Sequence, residues 1–189
     1  MAWDTNVFVC ESTEVVLTHR IVKVRLRVLA DGSCIELIGA YMPTSSATSE
    51  EIDQAWQELH ESAEGPDVLV GADFNVEACN EKGQLAEWLH GTAEERDLTI
   101  MDAGRHTYEK GDVTTNIDYW MAGAEMAGRV RVDGVEDKLS DHYGVALKYQ
   151  IHERAEEGCG PKREVGPNLG RMTKEEWKMY FDGVANATS

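Results

Sequence analysis

Between residues 21 and 29 apolar and polar positions alternate, with Val22, Val24, Leu26 and Val28 on one side and Lys23, Arg25 and Arg27 on the other. A period of two puts neighbouring side chains on opposite faces of an extended chain, so this stretch is a half-buried strand. Asp31-Gly32 supplies a turn and Cys34 to Ala40 returns as a second strand, which makes residues 21–40 a hairpin. Shorter apolar runs precede it at residues 7–10 and 15–17. The Lys-x-Arg-x-Arg stripe could meet a phosphate backbone, although a solvated sheet face is the commoner origin of such a pattern.

After Pro43 the period lengthens. Thr48-Ser49-Glu50-Glu51 has the spacing of a capping box, and Ile52, Ala55, Trp56 and Leu59 follow at helical intervals until Gly65-Pro66. Trp56 therefore belongs to a core. Residues 67–73 read as a buried strand, so the chain builds a β-β-α-β unit with its helix laid against the sheet. Residues 82–97 predict a helix interrupted at Gly91, with Leu85, Trp88 and Leu89 inward and Thr92 as a second cap for Glu95. Strands are expected at 98–102, 113–121, 128–135 and 144–151. Residues 152–171 have the Gly, Pro and charge content of a linker. Beyond it, Thr173-Lys174-Glu175-Glu176 caps an amphipathic helix over 172–186, with Trp177, Tyr180, Phe181 and Val184 on one face. That stripe either docks on the domain of residues 1–151 or belongs to a neighbouring domain. No internal repeat is evident.

Length and composition narrow the class. The 189 residues suit one domain with an appendage, and 42% hydrophobic with 28% charged residues describes an ordinary globular chain. No apolar run is long enough to span a bilayer and no basic-then-apolar leader opens the sequence, which points to an intracellular protein, nuclear or cytoplasmic. The net charge of −17 opposes contact with nucleic acid, so any such binding should be weak, salt-sensitive or metal-dependent. Cys10, Cys34, Cys79 and Cys159 are dispersed, without a Cys-x-x-Cys pair, and support neither zinc nor a disulfide framework.

The candidate chemistry lies at strand ends. Val68-Leu69-Val70-Gly71-Ala72 runs into Asp73-Phe74-Asn75, and the i, i+2 spacing lets a carboxylate and an amide converge. Asp-Phe-Asn could equally be a turn, since both polar residues favour turns. Three further strand edges carry polar groups: Tyr41-Met42-Pro43, Asn116-Ile117-Asp118-Tyr119, and Ser140-Asp141-His142-Tyr143. His142 is presented at an edge rather than on an apolar face. Apolar neighbours at Ile117, Tyr119 and Trp120 argue against Asp118 as a mere surface acid. Hard oxygen donors of this kind suit Mg²⁺ or Mn²⁺ better than zinc.

Tyr-x-Pro, Gly-x-Asp-Phe-Asn, Ile-Asp-Tyr and Ser-Asp-His in that order resemble the endonuclease/exonuclease/phosphatase superfamily, most closely the endonuclease domains of retroelements. The resemblance covers about the first four-fifths of the chain, through the ordered set rather than any one tripeptide. It implies a two-sheet α/β sandwich of mostly antiparallel mixed sheets with helices outside, and a metal-dependent phosphodiester hydrolase acting on DNA with Mg²⁺ or Mn²⁺. By position it makes Asp73 the group that orients and deprotonates water. Asn75 would hold water or phosphate, and Asp141 would bind metal with Asp73 and Asn75. His142, oriented by Asp118, would hydrogen-bond the scissile phosphate, and Tyr41 would reach it from the other side. Tyr108 and Asn116 would touch substrate, Asn116 standing where the family often has Arg or Gln. The family's first two strands, one bearing an Asn and one ending in a metal-binding Glu, have no counterpart here, and Glu11 and Glu14 precede a different strand. The resemblance is thus to an N-terminally truncated domain, whose partner could be a missing N-terminal segment or adjoining domain. An inactive remnant or binding module, or a phosphatase for small phosphate esters, stays open beside the endonuclease reading.

Overall fold

The computed structural model describes residues 4–15, 19–138 and 140–151; the expected linker and C-terminal helix lie outside them. The strands are β1 (Phe8–Val15), β2 (Ile21–Val28), β3 (Cys34–Tyr41), β4 (Val68–Asp73), β5 (Leu98–Met101), β6 (Tyr108–Lys110), β7 (Val113–Thr115), β8 (Asp118–Gly123), β9 (Val130–Lys138) and β10 (Tyr143–Tyr149). The helices are α1 (Ser49–Ser62), α2 (Gln84–Glu95) and the short α3 (Ala124–Ala127). Six strands form one sheet in the order β1-β2-β3-β4-β8-β5, while β9–β10 and β6–β7 pair separately. Within the large sheet only β3 and β4 are parallel, as a connection through α1 allows.

Strand pleating divides the core between two faces. Ile38, Val70, Tyr119 and Met121 pack with Trp56 and Leu59 of α1 and Leu85 and Leu89 of α2. One residue out of phase, Ile35, Leu69 and Ala122 form a second cluster with Met126, against which Val130, Leu147 and Tyr149 of the β9–β10 hairpin lie. The architecture is an α/β sandwich, helices on one face of the large sheet and β9–β10 on the other.

The expected hairpin, first helix and 67–73 strand are in place, with the Thr48–Glu51 capping box formed reciprocally. Three expectations change. β1 is continuous through Glu11–Glu14, because Glu11 is held by Arg27 at 2.8 Å and Arg25 at 3.4 Å across the pair. The basic stripe is thereby a neutralised sheet face, with Lys23 also bonded to Glu36 at 2.6 Å and to the Ser62 carbonyl at 3.1 Å. Gly91 does not interrupt α2, and Thr92 is a buried interior residue rather than a cap, since the apolar face from Leu85 to Leu89 carries the helix through. The 113–121 stretch splits into β7 and β8, because the Ile117 and Asp118 amides leave the ladder to donate to the Thr107 hydroxyl at 3.1 and 2.9 Å.

Gly71 couples the layers. It pairs with Trp120 across β4–β8, and a Cβ there would stand 2.7 Å from the Trp120 ring, whose Nε1 donates to the Val145 carbonyl of β10 at 3.3 Å. Gly71→Ala should displace that ring, loosen β10 and lower the urea-unfolding free energy by about 1–3 kcal/mol. Gly91→Ala has open space and a helical backbone, and should instead raise stability by roughly 0.4–1 kcal/mol. Equal effects of the two variants would contradict this account of Gly71.

Candidate active site

The ends of β3 and β4 and the start of β8 lie side by side, so their terminal residues meet without further folding. Tyr41 pairs with Asp73 in the parallel ladder, and Asp73 with Asp118 in the antiparallel one. Period two places all three on the sheet face that β9–β10 partly covers, the face of Leu37, Leu69 and Trp120.

Phe74, fully buried, stacks on Tyr119 with ring centroids 4.4 Å apart and pins the turn after β4. Asn75 then takes φ +54°, a left-handed conformation that Asn tolerates better than most residues. Its main-chain N–H donates to Asp73 Oδ1 at 3.0 Å and its Nδ2 to the Met42 carbonyl at 2.8 Å. Asp-Phe-Asn is therefore a turn and a polar cluster at once. With Nδ2 engaged, Asn75 Oδ1 is the acceptor it can offer a ligand.

His142 enters from the other layer. Its Nδ1 lies 2.8 Å from Asp118 Oδ2 and its Nε2 3.9 Å from Asp73 Oδ2. Bonding to a carboxylate assigns the Nδ1 proton and leaves Nε2 facing Asp73. One strut positions both partners. Thr107, 1% exposed, takes the Asp118 amide on its hydroxyl while its carbonyl accepts from the Tyr143 N–H at 2.6 Å. Next to it Tyr108 bridges to His142 and sets its ring edgewise on the imidazole, centroids 4.9 Å apart.

Asp73, Asp118 and His142 each present a ligand atom, all within 4.8 Å of one another, a group able to hold a metal ion. Burial first, then the Asp118 charge, pushes the Asp73 carboxyl up to about 6, against the opposing Asn75 N–H and the His142 charge. Asp141 stands close enough for its charge to raise Asp73 further, while its carbonyl accepts from the Glu109 N–H at 2.8 Å. Tyr41 is 54% exposed at the rim. Asn116 lies further back: its N–H donates to Glu77 Oε1 at 3.3 Å, and its side-chain Oδ1 is buried without a partner among the described residues.

Of these groups Tyr41, Asp73 and Asp118 line a cleft of 660 Å³. Val22, Leu37, Gly39, Gly71 and Trp120 floor it, Tyr143–Val145 form one wall, and Arg20 stands at the rim beside Tyr41. Sequence reasoning passed over Arg20 and the strut role of Thr107. Arg20 carries no motif signal, and its place follows from strand register. The sequence places Thr107 beside Tyr108, but not its bonds to the start of β8.

No family model and no curated protein sequence matches the chain. Solved structures do. The endonuclease domain of TRAS1, a telomere-specific non-LTR retrotransposon, superposes with a TM-score of 0.61 at 20% identity, over 74% of this chain and 67% of that one. The AP endonuclease LMAP from Leishmania major gives 0.59 at 11% identity, over 71% and 55%. The mannosyl-6-phosphatase Bt3783 of Bacteroides thetaiotaomicron gives 0.54 at 12% identity, over 79% and 69%. The chain thus spans between about half and two-thirds of the length of these structures. Another neighbour, from Bacteroides thetaiotaomicron, is itself an endonuclease/exonuclease/phosphatase family protein, with a TM-score of 0.51 at 13% identity. The layered sheet, the order of its motifs and these superpositions together identify the fold of this chain as that of the endonuclease/exonuclease/phosphatase proteins.

Proposed function

We propose that the chain is a divalent-metal-dependent phosphodiester hydrolase of the endonuclease type, acting on DNA. The observation that carries this reading is the convergence of Asp73, Asp118 and His142 within 4.8 Å at the end of an open cleft. Hydrolysis of a phosphodiester needs a deprotonated water, neutralised nonbridging oxygens and a donor to the phosphate. Asp73, whose carboxyl burial and the Asp118 charge push up to about 6 in the metal-free chain, is the group placed to accept a proton from water. Asp118 holds the His142 ring through Nδ1 and leaves Nε2 on the Asp73 side, where it would hydrogen-bond a bound phosphate. Tyr41 reaches the same phosphate from the rim, and Tyr108, edgewise on His142, flanks the substrate side, whereas the buried Asn116 amide oxygen does not reach the cleft lining.

The donor set fits Mg²⁺ or Mn²⁺: carboxylate oxygens of Asp73 and Asp118 converge beside His142, and the Oδ1 of Asn75 and the carboxylate of Asp141, whose charge reaches Asp73, would add further hard ligands. Such an ion, when bound, neutralises phosphate charge and acidifies water. It would also offset the burial and the Asp118 charge that raise Asp73. A remnant that binds without turnover is the second reading, favoured by one observation: Glu11, an acid of the first strand, is paired to Arg25 and Arg27 on β2 rather than supplied to Asp73.

Nicking of supercoiled plasmid with Mg²⁺ or Mn²⁺ decides between them. The expected result is cutting abolished by EDTA and reduced about 10²–10⁴-fold in His142→Ala. A well-folded sample that leaves plasmid intact at high Mn²⁺ would exclude the hydrolase and leave the remnant.

The Asp73 carboxyl also sets a pH dependence in the metal-free protein. Its folded pKa lies above the unfolded value, so the folded state binds the proton more tightly, and stability is lost as pH rises from about 4 through 6. Asp73→Asn should therefore stabilise the metal-free chain by about 1–3 kcal/mol at pH 8, with the gain shrinking at pH 5. Thermal midpoints at the two pH values check it; a gain independent of pH would contradict the assignment.

A further inference from the structure

The residue row that builds the site does not stop at Tyr41. Ile21 pairs with Ala40 in the β2–β3 ladder, and the Tyr41 N–H donates to the Arg20 carbonyl at 3.0 Å, so Arg20 is fixed beside Tyr41 as the next member of the row. Across the sheet the order is Arg20, Tyr41, Asp73, Asp118, one residue per strand. Pleating puts Arg20 on the same face as Val22, and both line the cleft. Lys23, Arg25 and Arg27 fall in the opposite phase and are paired with Glu11 and Glu36, so the basic stripe does not serve this face.

We infer that Arg20 holds a phosphate flanking the scissile one, which makes the cleft selective for a polynucleotide over a small phosphate ester. The inference rests on the phosphodiesterase reading and adds a residue and a substrate class to it. Strands lie about 4.8 Å apart, so Arg20 stands roughly 10 Å from the Asp73 position and roughly 14 Å from Asp118. A lone phosphate ester held between Asp73 and His142 does not span two strands. A chain with a phosphate at every sugar does.

The side chain is prepared for that task. Its guanidinium lies over the Tyr41 ring, 5.7 Å from the centroid, with Nη1 3.5 Å from the Tyr41 carbonyl. Stacking on an aromatic face orients the fork while leaving most of its five donors for an anion. Among the described residues it is also the one Lys or Arg lining the cleft, in a chain of net charge −17. A single cation at the far end of an acidic row gives a polyanion one favourable anchor and thereby a direction across the site.

Anisotropy of a fluorescein-labelled DNA oligonucleotide, with Ca²⁺ replacing Mg²⁺ and salt varied, reads binding without needing turnover. Hydrolysis of bis(p-nitrophenyl) phosphate reads the chemistry without a flanking phosphate. Arg20→Ala should weaken oligonucleotide binding about tenfold and lower the log–log salt slope by roughly 0.7–0.9, while hydrolysis of the small diester and the thermal midpoint stay unchanged. Arg20→Lys should retain most of the affinity. Unchanged affinity and slope in Arg20→Ala, equal losses on both substrates, or no oligonucleotide binding by the unaltered chain at low salt would each overturn the inference. If the unaltered chain hydrolyses neither substrate, the hydrolase reading fails, yet the anisotropy result still decides the role of Arg20.

Discussion

The bond from His142 to Asp118 joins two parts of the molecule that no continuous sheet connects. Asp118 begins a strand of the six-stranded sheet; His142 precedes β10, in the hairpin that caps that sheet. Their 2.8 Å contact exists because Thr107 holds both chains, its hydroxyl on the Asp118 amide and its carbonyl on the Tyr143 amide. Burying Thr107 with those bonds made is what lets two acids and an imidazole stand together; without them, three ionisable groups in a half-buried cleft would separate.

Period two organises everything else. On β3, β4 and β8 the residues in one phase fill the core under α1 and α2, and those in the other make the cleft floor and the site. The phases are kept in step by apolar residues far from the chemistry. Tyr119 and Phe74 stack beneath the site, and Gly71 leaves room for Trp120, which carries β10. A one-residue slip on β4 would turn Asp73 into the core and Ala72 into the cleft.

Much of this was legible in the residues. Alternation marked β2 and β3, the capping box marked α1, and the polar residues ending apolar runs marked Tyr41, Asp73, Asn75, Asp118 and His142. What was not legible depended on partners distant in sequence. β1 lacks an apolar stripe and is ordered by ladder bonds and Glu11 ion pairs. Gly91 is a local breaker overruled by the apolar face of its helix. The split between β7 and β8 is made by a hydroxyl ten residues upstream. Arg20 has no motif at all, because its meaning is a position in a register.

The acidic balance of the chain then takes a different sense. Seventeen excess negative charges argue against phosphate binding when averaged over the surface. Within the cleft the charges are ordered: Arg20 at one end, Asp73 and Asp118 two and three strands away, and His142 over the last. Burial, and then repulsion from Asp118, raises the Asp73 carboxyl and costs the fold stability. The same pairing of carboxylates makes a receptor for positive charge, whether a proton or a divalent ion. On the proposed reading, a polyanion would enter such a site only together with a cation, which would couple occupancy of the cleft to the electrostatics that hydrolysis requires.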